Sequence, residues 1–136
     1  MELNVYLYFN GNCEDAMNFY KDALGGEIVN ISRYGDAPMP SSDVWKNKIL
    51  HGVMKAAGTT IYFSDSNEGR DAKFGDNFSV SLSLQSDDEI TAAFNAISAG
   101  GVVTMPLADQ FWGAKFGMCC DKFGVNWMFN WDRPQS

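Results

Sequence analysis

The chain has 136 residues, 46% of them hydrophobic and 20% charged, and a net charge of −7 at neutral pH. A single domain over residues 1–136 that buries its own core is the expectation, without a disulfide or metal staple. The acidity, with the basic residues scattered along the chain, excludes a nucleic-acid surface, which needs clustered Lys and Arg.

The first strand-like run is Leu3–Phe9. Leu3, Val5, Leu7 and Phe9 fall on one face; Asn4, Tyr6 and Tyr8 fall on the other. A helix follows across Asn12–Gly26, with Asn12 as the expected N-cap and Glu14 and Asp15 in the first turn, where acidic groups suit the helix dipole. Ala16, Met17, Phe19, Tyr20, Ala23 and Leu24 recur at helical spacing, and Gly25 suits a left-handed C-cap. Strands are expected at Glu27–Tyr34, Lys48–Ala56 and Thr59–Ser64, with a proline-containing loop over 35–42. The polar stretch 65–77 reads as a connection between halves, long enough to close over something.

The second half repeats the grammar. Phe78–Gln85 alternates, placing Phe78, Val80, Leu82 and Leu84 on one face and Ser79, Ser81, Ser83 and Gln85 on the other. Ser86 to Glu89 has capping-box spacing, and Ile90, Ala93, Phe94 and Ile97 trace a helical stripe that stops at Gly100-Gly101. Strands follow at Val102–Gln110, Ala114–Asp121 and Val125–Trp131. The order is therefore βαβββ twice. The fold class is α+β: two βαβββ modules (about 1–65 and 78–132) form a curved mixed sheet around a cavity, with the helices on the outer face.

Alternation sorts the strands into faces. If the apolar face of each first strand meets its helix, the opposite face points into the cavity. That assigns Asn4, Tyr6, Tyr8, Thr60, Tyr62 and Ser64 from one half to the lining. The other half supplies Ser79, Ser81, Ser83, Gln85, Asn126, Met128 and Asn130. Val125, Trp127, Phe129 and Trp131 are the packed set. The lining is uncharged, with hydroxyls, amides and aromatics, and suits a small organic molecule.

Several segments together resemble the vicinal oxygen chelate superfamily (glyoxalase I, bleomycin-resistance proteins, extradiol dioxygenases), and within it the PhnB-like branch. They are Tyr8-Phe9-Asn10-Gly11-Asn12, Ala16-Met17-Asn18-Phe19-Tyr20, Leu24-Gly25-Gly26, Ile49-Leu50-His51-Gly52, Ser64-Asp65, Gly100-Gly101-Val102-Val103, Trp112-Gly113 and Asp121–Trp127. The resemblance implies paired βαβββ modules and commonly a homodimer. It also implies four metal-ligand positions in the metal-dependent members, which fall near Val5 or Tyr6, Tyr62, Ser79 and Met128. None of these is a carboxylate, imidazole or thiolate, so no metal is expected. The branch sometimes carries a demethylubiquinone methyltransferase label. The chain, however, has no Gly-rich strand-to-helix turn of the kind that holds S-adenosylmethionine, since Gly25-Gly26 ends a helix, and no cofactor is expected.

His51 is the single histidine and the one candidate catalytic residue, as general base or orienting donor. Adjacent Cys119 and Cys120 point to opposite faces of a strand and read as packing cysteines, and with Cys13 they make no disulfide framework. Asp65 and Asp121 read as turn organisers, and Arg33 either as a group to hold an acidic ligand or as a rim or surface salt-bridge partner. Trp112, beside Phe111, suits a cavity mouth or an interface.

The leading reading is a protein that binds an unidentified small organic molecule through Tyr6, Tyr8, Tyr62, Ser79, Ser81, Asn126, Met128 and Trp112. One alternative is a lyase- or isomerase-type enzyme using His51 with the tyrosines; another is a dimeric interaction module with no small ligand. Without a signal segment or a membrane-length apolar run, the expected setting is the cytoplasm, with no membrane partner.

Overall fold

A computed structural model of the chain describes residues 1–134. The last two positions of the expected domain lie outside the described residues. The chain divides into two compact units, residues 1–73 and 74 onward, with the boundary inside the expected connection.

The first unit contains β1 (Val5–Phe9), α1 (Cys13–Leu24), β2 (Glu27–Arg33), β3 (Ile49–Ala56) and β4 (Thr59–Asp65). Its sheet has the order β1-β4-β3-β2, with β1 parallel to β4 and the other pairs antiparallel. The second unit repeats this with β5 (Val80–Ser83), α2 (Asp87–Ser98), β6 (Val102–Asp109), β7 (Ala114–Cys120) and β8 (Asn126–Asp132), in the order β5-β8-β7-β6. The α+β class and the doubled βαβββ order are as the sequence predicts.

Each helix packs on one face of its own sheet. In the first unit Leu7, Phe9, Met17, Tyr20, Met54 and Phe63 are buried there. Phe63 stacks with Phe9 at 6.4 Å and with Tyr20 at 6.1 Å. In the second unit Phe94 meets Phe129 edge-on at 5.2 Å, with Ile90, Ile97 and Trp127 around them. Each of these helix–sheet contacts runs over a strand glycine. A Cβ on Gly52 would fall 2.6 Å from the Met17 side chain, and one on Gly117 would fall 2.9 Å from Phe94. The double glycines have a shared logic as well. Gly25 and Gly100 take positive φ (65° and 76°), while a Cβ on Gly101 would fall 2.3 Å from Cys120 O and one on Gly26 would press on Lys55 O at 3.1 Å.

The largest departure from expectation is at the start of α1. Asn12 makes no side-chain cap bond. The cap comes instead from Asp65, at the end of β4. Its Oδ1 accepts from Gly11 N (2.7 Å) and Cys13 N (3.0 Å), and its Oδ2 accepts from Ile49 N (2.8 Å). Asp65 is 1% exposed, so these three donors replace its water. A local reading of the sequence gives the cap to the residue next to the helix; the fold gives it to a carboxylate on a neighbouring strand. Asp121 plays a comparable part in the second unit. It accepts from Phe123 N, Val125 N and the Trp127 indole N–H at 2.8, 3.1 and 2.8 Å. By contrast, Ser86 caps α2 as its spacing predicts, accepting from Glu89 N at 3.1 Å.

Smaller corrections have similar causes. Tyr34 leaves the strand for a short 3-10 turn over Tyr34–Asp36, and its hydroxyl donates to Asp65 O at 2.7 Å. Register shifts in β2 break the alternation and leave Val29 exposed. β5 is shorter than the predicted run, and Phe78 and Leu3 lie outside the strands and are exposed. The start of the connection is pinned to the first unit. Asn10 donates to Ala72 O (3.1 Å) and accepts from Ala72 N (2.7 Å), and Ser66 N donates to Phe9 O (2.6 Å).

Replacing Asp65 by alanine strands three backbone donors, each worth about 1–3 kcal/mol when left unpaired and buried. Asp65→Ala is expected to destabilise the protein by at least about 3 kcal/mol. Asn12→Ala is expected to stay within about 0.5 kcal/mol of the parent. Urea unfolding followed by circular dichroism compares the two, and equal losses would reverse the assignment of the cap.

Candidate functional site

The helix-free face of the first sheet follows from the register. β1 and β4 run parallel with Tyr6 opposite Tyr62 and Tyr8 opposite Ser64. β3 places Val53 opposite Tyr62, and β2 places Ser32 opposite His51. Since Gly52 and Met54 face α1, the odd-numbered β3 residues His51 and Val53 share the other face with the tyrosines.

On that face the rings form one cluster. Tyr6 stacks on Tyr8 with centroids 4.9 Å apart and planes 22° from parallel, and on Tyr62 at 5.8 Å and 26°. His51 lies 5.6 Å from Tyr62 at 22° and 5.8 Å from Tyr6. The Tyr6 hydroxyl and His51 Nδ1 are hydrogen-bonded at 2.9 Å, the imidazole tautomer deciding which of them donates. Burial, then the neighbouring Tyr8, push the Tyr6 phenol above its ordinary pKa, so it keeps its proton at neutral pH. Tyr8 is 54% exposed and Tyr6 39%, an unusual amount of open aromatic surface for adjacent residues of one strand. Ser64 beside them is buried, its hydroxyl donating to Asp65 O at 2.8 Å.

Tyr6, Tyr8, Tyr62 and His51 are thus brought together as one cluster. The remaining candidates belong to the second unit. Ser81 lies opposite Met128 across β5 and β8, on the face turned from α2, and Ser79 is half-buried just before β5. Asn126 lies opposite Cys120, and its amide donates to Gly75 O at 2.9 Å, so part of its polar capacity holds the chain entering this unit. Trp112 is 51% exposed in the turn between β6 and β7, edge-on to Phe111 (5.2 Å) and Phe116 (5.9 Å). Sequence reasoning missed the row across this sheet formed by Met105, Met118 and Met128, which the register sets directly opposite one another. Its signal is the pairing of three strands, which no single strand's pattern carries.

Other candidates are occupied. The Arg33 guanidinium forms a fork with Glu14 (2.9 and 2.8 Å) and donates to Asn47 O (2.6 Å). A cavity of about 290 Å³ lies near the start of α1, with Glu14, Asp15, Lys48 and Asp65 in its wall. Lys48 donates to Gly11 O (2.8 Å) and Asp65 is committed to backbone, so these groups brace the loop. Cys119 is buried and its thiol is pushed up to about 12 by burial and the charge of Asp121; the same two causes raise Cys120. Burial raises Cys13 as well.

The metal positions implied by the superfamily carry a phenol, a hydroxyl and a thioether in this chain. Among the described residues no three His, Cys, Asp or Glu side chains gather where they could hold an ion. These donors do not fit a divalent metal, which wants several imidazole, carboxylate or thiolate groups together. No helix of the described residues is long and apolar enough to cross a membrane.

Comparison with known proteins agrees with the fold. Residues 1–129 match the family model described as 3-demethylubiquinone-9 3-methyltransferase. The chain is 33% identical to protein YjdN of Escherichia coli, over 96% of this chain and 95% of that protein. The crystal structure of PA1353 from Pseudomonas aeruginosa superposes with a TM-score of 0.90 at 37% identity, covering 98% of this chain and 99% of that one. A putative 3-demethylubiquinone-9 3-methyltransferase, PhnB protein, from Bacillus cereus gives 0.82 at 30% identity, covering 96% and 99%. A glyoxalase/bleomycin resistance/dioxygenase family enzyme from Burkholderia phytofirmans, 10% identical with a TM-score of 0.65 and covering 96% and 97%, shares the fold.

Two measurements follow. Glu14 is held below its ordinary carboxylate pKa by the hydrogen bond and charge of Arg33. A lowered folded pKa contributes stability above the unfolded value of about 4.3 that is lost as pH falls through the folded one. Glu14→Gln should therefore reduce stability at neutral pH and match the parent in strong acid; the pair is part-exposed, so the difference is about 1 kcal/mol or less. With all three thiols raised, the folded protein is expected to react slowly with Ellman's reagent at neutral pH and the unfolded protein quickly. One fast thiol in the folded state would contradict the packing role.

Proposed function

This chain belongs to the PhnB-like family described as 3-demethylubiquinone-9 3-methyltransferase, within the glyoxalase/bleomycin-resistance/dioxygenase fold, and on that premise we propose that it binds a small organic molecule. The supporting observation is the open aromatic cluster of Tyr6, Tyr8, Tyr62 and His51 on the helix-free face of the first sheet. Rings held rigidly on a strand, with a few polar tips and no charged side chain among them, suit recognition by shape and a small number of hydrogen bonds. His51 is the polar handle of the site, oriented by Tyr6. Ser79, Ser81, Asn126, Met128 and Trp112 are a second candidate lining, in the second unit. Binding proceeds without a divalent metal, because the donor set does not suit one. A homodimer is part of the same proposal and rests on the family resemblance; a cytoplasmic setting goes with it, from three cysteines that make no disulfide framework.

A catalytic second reading has one specific support: the hydrogen bond of Tyr6 to His51 Nδ1 couples a neutral phenol to an imidazole, a pair able to move a proton at a bound molecule. A thermal-shift screen over metabolites and antibiotics tests the binding reading, since a ligand of the native state raises the unfolding temperature. The expected result is a hit whose shift disappears in Tyr8→Ala. Hits that ignore Tyr8→Ala would move the site elsewhere, and a stoichiometric divalent ion in the purified protein would overturn the metal-free part.

A further inference from the structure

We propose that the tyrosine row is an aromatic stack open at one end, and that it takes a planar nitrogen heterocycle, neutral or cationic, against the outer face of Tyr8. This deepens the reading of the first unit's helix-free face as the ligand site and rests on it. The row runs from His51 and Tyr62 through Tyr6 to Tyr8, with successive planes 22° to 26° from parallel along the tyrosines. These spacings and tilts are those of offset-stacked rings. Tyr62, Tyr6 and His51 each have more than one ring partner within the cluster. Tyr8 stacks on Tyr6 alone among the described residues and is the most exposed of the group. Its outer face is where the next ring belongs.

The row is also preorganised. The His51–Tyr6 hydrogen bond holds Tyr6 from its far end, and the Tyr6 ring in turn backs Tyr8. A ligand then meets a ring already held in place, which lowers the ordering cost of binding.

Ring electronics and charge narrow the class. A phenol ring presents a negative π face, which favours an electron-poor ring or a cation over it. Glu27 and Lys55 lie opposite each other toward the far end of the sheet, and Glu2 accepts from the Asn4 amide at 2.9 Å before β1. The chain as a whole carries −7, a field that favours a cation over an anion. A planar anion is therefore disfavoured, and a saturated cation loses the stacking.

Three probes separate these terms: N-methylquinolinium (planar, cationic), decahydroquinoline (cationic, not planar) and 2-naphthoate (planar, anionic). Binding is read by calorimetry and by ring-current shifts of the Tyr8 protons in NMR. N-methylquinolinium is expected to bind at least tenfold tighter than either of the others. Tyr8→Ala should weaken it at least tenfold, and Tyr8→Phe should retain it. Equal binding of decahydroquinoline would overturn the stacking argument, and tighter binding of 2-naphthoate would overturn the charge argument. If no probe shifts Tyr8 while a screening hit still depends on Tyr8, the ligand class is wrong and the site stands. If nothing depends on Tyr8, the site reading itself fails.

Discussion

The first unit depends on one buried carboxylate. Asp65 closes β4 and accepts from the backbone at the start of α1 and at the start of β3, so three elements distant in sequence meet at two oxygen atoms. The aromatic row stands on the strands this anchor aligns. Tyr6 and Tyr8 are on β1, which runs into Gly11, and His51 follows Ile49 by two residues; both Gly11 and Ile49 donate to Asp65. Tyr34, whose hydroxyl donates to Asp65 O, extends the same knot to the end of β2. The aromatic cluster is therefore held by a group outside it.

The repeat has a physical reason beyond its sequence pattern. Each unit packs its helix closely over a strand glycine, Gly52 under the end of the Met17 side chain and Gly117 under Phe94. Each helix is then turned by a glycine pair whose first member accepts a left-handed backbone and whose second accepts contact with a strand. Side chains can vary widely around such a frame while the frame persists.

Much of this was legible in the chain. Period-two alternation placed Tyr6, Tyr8 and Tyr62 on one face, because a strand with a packed helix on one side leaves no other place for them. The helices were legible from their stripes, and the Ser86 cap from its spacing, because those signals are local. What the sequence hid is long-range. Asn12 has the right chemistry for a cap, yet the anchor came from Asp65, more than fifty residues away in sequence. The bulges of β2 and the fork between Arg33 and Glu14 likewise need the partner strand or helix before they can be seen. The methionine row emerged only when three strands were in register, since no one of its residues is unusual alone.

The parallel pairing of β1 with β4, and of β5 with β8, has a consequence for how the chain becomes structured. In both units the earliest strand bonds to the last one made, so the first hydrogen-bonded neighbour of β1 is also the most distant in sequence. Loop-closure entropy is spent before that pairing returns anything. During synthesis, β1 emerges with its tyrosines uncovered and stays without a sheet partner until β4 has left the ribosome. The full sheet of each unit thus closes only when its last strand is present, and a nascent chain interrupted between α1 and β4 holds β1 with no sheet partner. The boundary between the two units marks the first point at which the growing chain has a whole sheet to form.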